Sequence, residues 1–432
     1  MRIGMVTACY KPVINGVTRM VSLYKEHLEA AGHEVTIFTL GEPDPNDEPG
    51  VVRSPGFMLG DYGYYLSMRY SSKAQALLQE MDIIHCHHLF MSVEMAHRYG
   101  RSPIVYTNHT RYDLYTGSFT SLPQPAADAI MRQVWPEFTD YADLVITPSA
   151  SVRDVMLEFG VRRPIEVIEN GVDLKPFHQP TAPLSKTDLG VLETAVLVTY
   201  VGRLSPEKDV DILLEQFAIA KDVVPNLHLM IIGKGASQPE LQNLANELGI
   251  ASSVLFTGAV SYENVANYLA AADLFATASV TEVHPLTVIE AMAAGLPVVA
   301  ISSPGIVDTV ESGRSGLLTT KPAGGLAAAL VGLASNPERL QHMSQAARSD
   351  SVRFDIHNTI ERTIALYERL RRERPDLRRK KMHGRRIFDA ERLQPVVGQL
   401  GKLLWPAEKE PASRRWYMPG HVSPTEQRPH DN

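Results

Sequence analysis

A recurrence constrains this chain more than anything else: short apolar runs rich in β-branched residues, each followed by a longer stretch with helical spacing, in two successive series. The first series comprises residues 2–8, 34–39, 82–86, 104–107, 144–147 and 165–168. The second comprises 195–201, 228–232, 254–257, 274–277 and 297–301. Apolar and polar residues do not alternate cleanly within these runs, so the strands they predict are buried on both faces. Such strands belong to parallel sheets flanked by helices, an α/β architecture. The pattern breaks between Leu174 and Leu189, where Pro176, Pro180 and Pro183 lie in a polar setting. The reading is therefore one unit over 1–175, a second over 176–345, a closing amphipathic helix over 346–372, and a basic, then Pro-rich tail over 373–432. At 432 residues the chain exceeds what a single core holds, which agrees with two units.

Composition narrows the class. With 44% hydrophobic and 21% charged residues the chain has the balance of a globular enzyme. Its two cysteines, Cys9 and Cys86, each fall in an apolar run, which excludes a disulfide framework and a cysteine-based zinc site and fits a reducing, cytoplasmic setting. No apolar run approaches the ~18 residues needed to cross a bilayer. The net charge of −7 hides a concentration of the opposite sign: Arg371–Arg386 carries nine Lys or Arg against one Glu and one Asp. That segment is expected to meet an anionic membrane surface. RNA is the lesser candidate, since no nucleic-acid module accompanies the segment.

Open parallel sheets bind ligands beyond the carboxyl ends of their strands. Three loops of the second unit carry suitable chemistry. Gly202-Arg203-Leu204-Ser205-Pro206-Glu207-Lys208 places a fork and a point charge where both can reach a phosphate; a solvated turn is the alternative. Gly233-Lys234-Gly235 fits close backbone approach to a base or ribose, or a tight turn. In the third, Pro285 suits a first helical turn and Gly295 a helix end, which predicts a helix over 285–294. The N–H groups of Leu286, Thr287 and Val288 then form an anion site with Glu282 on one side and Glu290 on the other. Phosphate in the middle and hydroxyls at both ends describe a sugar nucleotide. His85-Cys86-His87-His88 has the residue types of a metal cluster, but strand alternation separates neighbours and no carboxylate converges on them, so no metal is expected.

Together with Asn15-Gly16-Val17, Gly32-His33-Glu34-Val35, Asn108-His109-Thr110 and Glu169-Asn170-Gly171-Val172-Asp173, these loops resemble the retaining glycosyltransferases of family 4 over about residues 1–372. The resemblance implies a GT-B fold, two Rossmann-like domains facing each other across a cleft. It implies that Arg203 and Lys208 hold the donor diphosphate, Glu290 the ribose and Glu282 the transferred sugar. Gly16, Gly233, Leu286 and Thr287 would complete the donor site, and His109 would stand at the reacting centre. Neither a metal nor another cofactor is expected.

Within that family the first unit looks most like diacylglycerol glucosyltransferases, through Asn15-Gly16-Val17, the aromatic stretch 57–70 and His109-Thr110-Arg111-Tyr112-Asp113-Leu114-Tyr115. Tyr62, Tyr65, Tyr112 and Tyr115 are the candidate acceptor contacts. The implied reaction is transfer of a hexose, glucose from UDP-glucose, to a lipid such as diacylglycerol by a peripheral protein on the inner membrane face. A polysaccharide, a polyprenyl-linked glycan or a small metabolite is the alternative acceptor, and a non-catalytic sugar-nucleotide sensor the alternative class. One position departs from the pattern: Pro285 stands where these relatives usually have Gly, and Pro has no N–H to offer the donor.

Overall fold

The computed structural model describes residues 1–13, 15–59, 64–67, 69–114, 123–320 and 324–373. The two series of apolar runs become two parallel sheets. The first contains β1 (Arg2–Val6), β2 (Glu34–Leu40), β3 (Val51–Ser54), β6 (Ile83–Cys86), β7 (Ile104–Thr107), β8 (Leu144–Thr147) and β9 (Ile165–Val167), in the order β3-β2-β1-β6-β7-β8-β9. Between β3 and β6 the chain forms a small antiparallel hairpin of β4 (Phe57–Leu59) and β5 (Tyr64–Leu66). The second sheet contains β10 (Val196–Val201), β11 (Leu227–Ile232), β12 (Val254–Gly258), β13 (Leu274–Thr277), β14 (Val298–Ile301) and β15 (Gly316–Thr319), in the order β12-β11-β10-β13-β14-β15. Central strands such as β6, β7, β13 and β14 are buried at every residue. Their lack of alternation thus has its expected cause, helices on both faces.

In each sheet the strand order reverses once. The chain leaves β1 for β2 on one side and later returns to β6 on the other; β10 has β11 and β13 in the same relation. The exit loops of β1 and β6, and of β10 and β13, therefore diverge and open a crevice, the place where such sheets bind ligands.

The chain crosses between the two sheets twice, at neighbouring points. Val172 donates its N–H to the Phe354 carbonyl (2.9 Å), and Ile356 returns one to the Val172 carbonyl (3.1 Å). A Cβ at Gly171 would lie 2.5 Å from the Ile356 Cα, so only glycine lets the two crossings touch. The expected closing segment 346–372 is divided, spanning the end of helix Pro337–Ser351, a short 3-10 turn and most of helix Ile356–Glu373. The latter packs on the first sheet: Ile356, Ile360, Leu366, Tyr367 and Leu370 share a core with Ile3, Met5, Tyr24 and Ile83. No helix among the described residues is long and apolar enough to cross a membrane.

Candidate active site

The second half supplies its charged groups at its switch point. Lys208, at the end of the β10 exit loop, reaches Glu282 in the β13 exit loop, with Nζ 2.7 Å from Oε1. Ser279 Oγ donates to the same oxygen at 2.8 Å. Burial alone would raise the Glu282 carboxyl. The Lys208 charge, the hydrogen bonds from Lys208 and Ser279, and the Arg203 charge outweigh it and hold Glu282 below the usual carboxylate range. Arg203 is half-exposed and lies 3.4 Å from the buried Glu207, which also accepts from Ser205 Oγ at 2.6 Å. Lys208 and Arg203 are thus each held beside a carboxylate.

Helix Leu286–Ala293 follows, with Pro285 in the N-cap position and no side-chain cap. The expected trio of N–H groups is reduced by one. Val288 donates to the Pro285 carbonyl at 3.2 Å, because the first turn tightens, so of the three only the N–H groups of Leu286 and Thr287 stay candidates for an anion. Glu290 lies on this helix and is buried. Burial pushes its carboxyl up to about 7, while the nearby Tyr262 hydroxyl and the Arg19 charge pull the other way. The Tyr262 hydroxyl is itself buried, with Glu290 and Arg19 as its polar neighbours, and Arg19 Nε is buried without a hydrogen-bond partner among the described residues. Buried polar atoms of this kind call for a partner such as a ligand hydroxyl.

Arg19 and Tyr262 were not singled out from sequence. They come from opposite halves, yet the Arg19 guanidinium stacks 3.6 Å from the Tyr262 ring centre, a close cation–π contact. Arg19 stands three residues after Gly16, one helical turn on. That spacing from a candidate glycine was the available signal; Tyr262 had none.

The segment from Glu282 is also tied to the first half. Val283 is buried within the first half's core, and Asn170 Nδ2 donates to the His284 carbonyl at 3.1 Å. Beneath it runs the loop after β14. At Gly305, where φ is +89°, a Cβ would lie 2.4 Å from the Val283 carbonyl oxygen and 2.6 Å from that of Glu282. This loop crosses to the first half too: Ser151 donates through N (2.9 Å) and Oγ (2.5 Å) to Asp308 Oδ2 and accepts from Gly305 N at 2.8 Å.

The first half brings four histidines to its own switch point. His88 Nδ1 lies 3.0 Å from Thr7 Oγ1 and accepts from Ala8 N at 3.2 Å. His85 bridges Tyr367 and Thr107, at 2.6 Å each. His87 and His109, beyond the ends of the paired strands β6 and β7, meet through Nδ1 and Nε2 at 3.1 Å. Burial keeps all four neutral: His85 and His109 are pushed down to about 3, His88 to about 4, and His87 well below its ordinary value. No group of three His, Cys, Asp or Glu among the described residues is arranged to hold a metal ion.

Gly16 opens helix Gly16–Ala30 behind an Asn15 cap, with nothing among the described residues within 4 Å of a Cβ built on it. Gly233 has a different reason for being glycine: at φ +148° its Cβ would sit 1.8 Å from the Gly202 carbonyl oxygen, so it lets two exit loops pack together. Tyr112 points its hydroxyl at the Leu89 N–H (3.2 Å) and packs edge-on against Phe90 and Trp135, which spends its polar end inside the first half. Tyr65 covers Gly41 and lines a cavity of about 380 Å³ with Tyr10, Pro12, Leu40 and Arg53. Tyr62 and Tyr115 lie outside the described residues, as does 374–386 of the basic segment. Its described start is engaged locally, Arg371 with Asp82 at 3.6 Å and Arg372 with Glu368 at 3.9 Å.

Residues 14–176 match the family model described as Glycosyltransferase Family 4, and residues 184–350 match Glycosyl transferases group 1. The alpha-monoglucosyldiacylglycerol synthase of Acholeplasma laidlawii is 30% identical over 371 residues, covering 80% of this chain and 92% of that protein. The chain belongs to glycosyltransferase family 4. The protein of the same description from Streptococcus pneumoniae is 29% identical, over 79% of this glycosyltransferase and 80% of its relative. The fold matches HepE from Anabaena, solved in complex with UDP and glucose, with a TM-score of 0.68 and 21% identity over 85% of this chain and all of the other. The enzyme is thus a hexosyltransferase of the retaining type with a GT-B fold, two Rossmann-like domains, as its motifs implied.

Proposed function

We propose that this enzyme transfers glucose from UDP-glucose to diacylglycerol at a membrane surface, with retention at the anomeric carbon and without a metal ion. The observation that carries the donor half is the meeting of Lys208 with Glu282 at the switch point of the second sheet, with the Arg203 charge close enough to act on Glu282, just ahead of the helix that bears Glu290. The acceptor half rests on similarity to two alpha-monoglucosyldiacylglycerol synthases along most of the chain.

On donor binding, the diphosphate replaces Glu282 at Lys208 and Glu207 at Arg203, and the released Glu282 carboxylate meets hydroxyls of the sugar. Glu290 and the Tyr262 hydroxyl receive the ribose. The bond from C1 to the β-phosphate oxygen then breaks while a lipid hydroxyl forms its bond to C1 on the same face. The hydroxyl proton passes to the departing phosphate. Arg203, Lys208 and the helix N-terminus face the charge that grows on that phosphate, which is preorganised stabilisation of the leaving group. Two side-chain cations and a helix end supply what a divalent metal would otherwise contribute. Closure about the paired crossings at Val172 and Ile356 excludes water.

The test pairs several sugar nucleotides with lipid acceptors and identifies products by mass spectrometry, with and without a chelator. Glucosyldiacylglycerol from UDP-glucose alone, in unchanged yield with chelator, is the expected result. Lys208→Ala and Glu290→Ala should each lower kcat/KM for the donor by roughly a hundredfold, since each removes a hydrogen bond to or from a charged group. Donor turnover near wild type in both would displace the donor site. Sugar transfer only to a water-soluble acceptor would overturn the lipid assignment.

A further inference from the structure

We propose that His87 is a positioning residue that fixes the tautomer of His109, so that His109 presents a neutral Nδ1–H to the transferred sugar. The proposal rests on the reading that His109 faces the reacting centre. The geometry comes first. His87 Nδ1 and His109 Nε2 are 3.1 Å apart, and the two imidazoles lie 15° from parallel with centroids 5.4 Å apart. Nearly coplanar, side-by-side rings at that separation suit an N–H···N bond, which is directed in the plane of both rings.

Such a bond holds a single proton, and both rings are neutral because burial disfavours the imidazolium. Two arrangements are therefore open. If His109 donates from Nε2, His87 must carry its proton on Nε2, and His109 is left with a bare Nδ1. If His87 donates from Nδ1, its own Nε2 is bare and His109 carries its proton on Nδ1.

The surroundings of His87 Nε2 decide between them. That atom is buried and has no hydrogen-bond partner among the described residues. A buried N–H without an acceptor is rarer in folded proteins than an acceptor left partly unsatisfied. The arrangement with a bare His87 Nε2 is therefore the favoured one. Neighbouring groups hold His87 in place: its ring lies 4.1 Å, centroid to centroid, from that of His85, whose two nitrogens are both engaged by Tyr367 and Thr107. The His87 N–H donates to the Val6 carbonyl at 2.9 Å, which anchors the backbone to β1.

The consequence for chemistry is direct. A neutral N–H donor can bind a sugar hydroxyl oxygen without placing a full positive charge beside a ring that itself gains positive charge as the donor bond breaks. An imidazolium at that point would oppose the reaction. His87 would thus contribute without touching the substrate.

The decisive measurement is the ¹⁵N NMR spectrum of the intact, histidine-labelled protein, in which protonated and bare ring nitrogens are well separated. His109 should show a protonated Nδ1 and a bare Nε2. A protonated Nε2 in the wild-type protein would overturn the proposal whatever the kinetics show. In His87→Leu, which fills the space without a hydrogen bond, the preference at His109 should be lost and kcat should fall about tenfold, the worth of one hydrogen bond. The KM for the donor should change little. His87→Asn, whose amide can donate near the position of Nδ1, should restore both the tautomer and most of kcat. Wild-type kcat in His87→Leu would also overturn the proposal. His109→Ala separates the two layers of the argument: if it turns over donor like wild type, the placement of His109 fails even where the tautomer is as expected.

Discussion

Glu290 is held under opposing demands. In the proposed role of ribose ligand it would accept hydrogen bonds from two hydroxyls, which favours the ionised carboxylate, yet its burial favours the neutral acid and lifts it to about 7. Arg19 and Tyr262 partly offset that burial from a distance of one side chain, and Arg19 does so from the other half of the molecule. The affinity of the free enzyme for donor should therefore depend on pH. Below about 7 the carboxyl is protonated and the donor must bind against that state; above it the carboxylate is ready. Affinity should accordingly rise between pH 6 and pH 8, and calorimetric titrations of the donor across that range measure it. Glu290→Gln should remove the rise, and Arg19→Gln should move it to higher pH. A rise that persists in Glu290→Gln would assign the titration to another group.

At the scale of elements, the loop after β14 supports the segment that begins at Glu282. Gly305 is confined by its backbone, at φ +89°, and by two carbonyl oxygens that a Cβ would approach to 2.4 and 2.6 Å. Gly305→Ala must either strain the loop or push Glu282 and Val283 away. We expect a loss of about 1 to 3 kcal/mol in unfolding free energy, read by denaturant titration, together with a raised donor KM. Unchanged values for both would mean that the loops part without cost. This coupling shows what was legible in the sequence and what was not. Strands such as Ile104–Thr107 and Leu274–Thr277 could be read residue for residue, because burial on both faces leaves its mark on every position. Val51–Ser54 and Gly316–Thr319 leave no such mark in the sequence: both are edge strands, covered less completely and therefore less uniformly apolar. Helix Leu286–Ala293 was foreseen within a residue at each end from Pro285 and Gly295, but the bond from Val288 N to the Pro285 carbonyl depends on how tightly the first turn winds. Lys208, Glu282 and Glu290 stand out in the sequence as candidates because motif spacing marks them, and the structure joins the first two. The stacking of Arg19 on Tyr262 and the meeting of His87 with His109 depend on which loops the strand order brings together.

At the scale of the whole molecule, parallel strands place all their carboxyl ends on one side, so the hairpin that follows β3 emerges on the same side of the first sheet as His109. Its position is fixed by Tyr65, which covers Gly41 just beyond β2. The opposing strand of the hairpin carries Phe57, 82% exposed, and Met58, 57% exposed, and among the described residues it pairs only with Tyr64–Leu66. Large exposed apolar side chains on a two-stranded ribbon at the carboxyl side of the first sheet suit the proposed transfer to an acceptor that lies in a bilayer. If the ribbon dips into the interface, Phe57 and Met58 together contribute about 3 kcal/mol or more of transfer free energy, a factor of roughly a hundred in partitioning. This attraction is apolar and should survive high salt, whereas attraction through the basic segment 371–386 should fade as salt screens it. Sedimentation with uncharged vesicles at high salt isolates the hairpin. The Phe57→Ser, Met58→Ser double variant should lose most binding there, and its transfer to diacylglycerol in vesicles should fall while transfer to detergent-dispersed diacylglycerol persists. Equal sedimentation of the double variant and the wild type would remove the hairpin from the membrane contact and leave the basic segment to carry it.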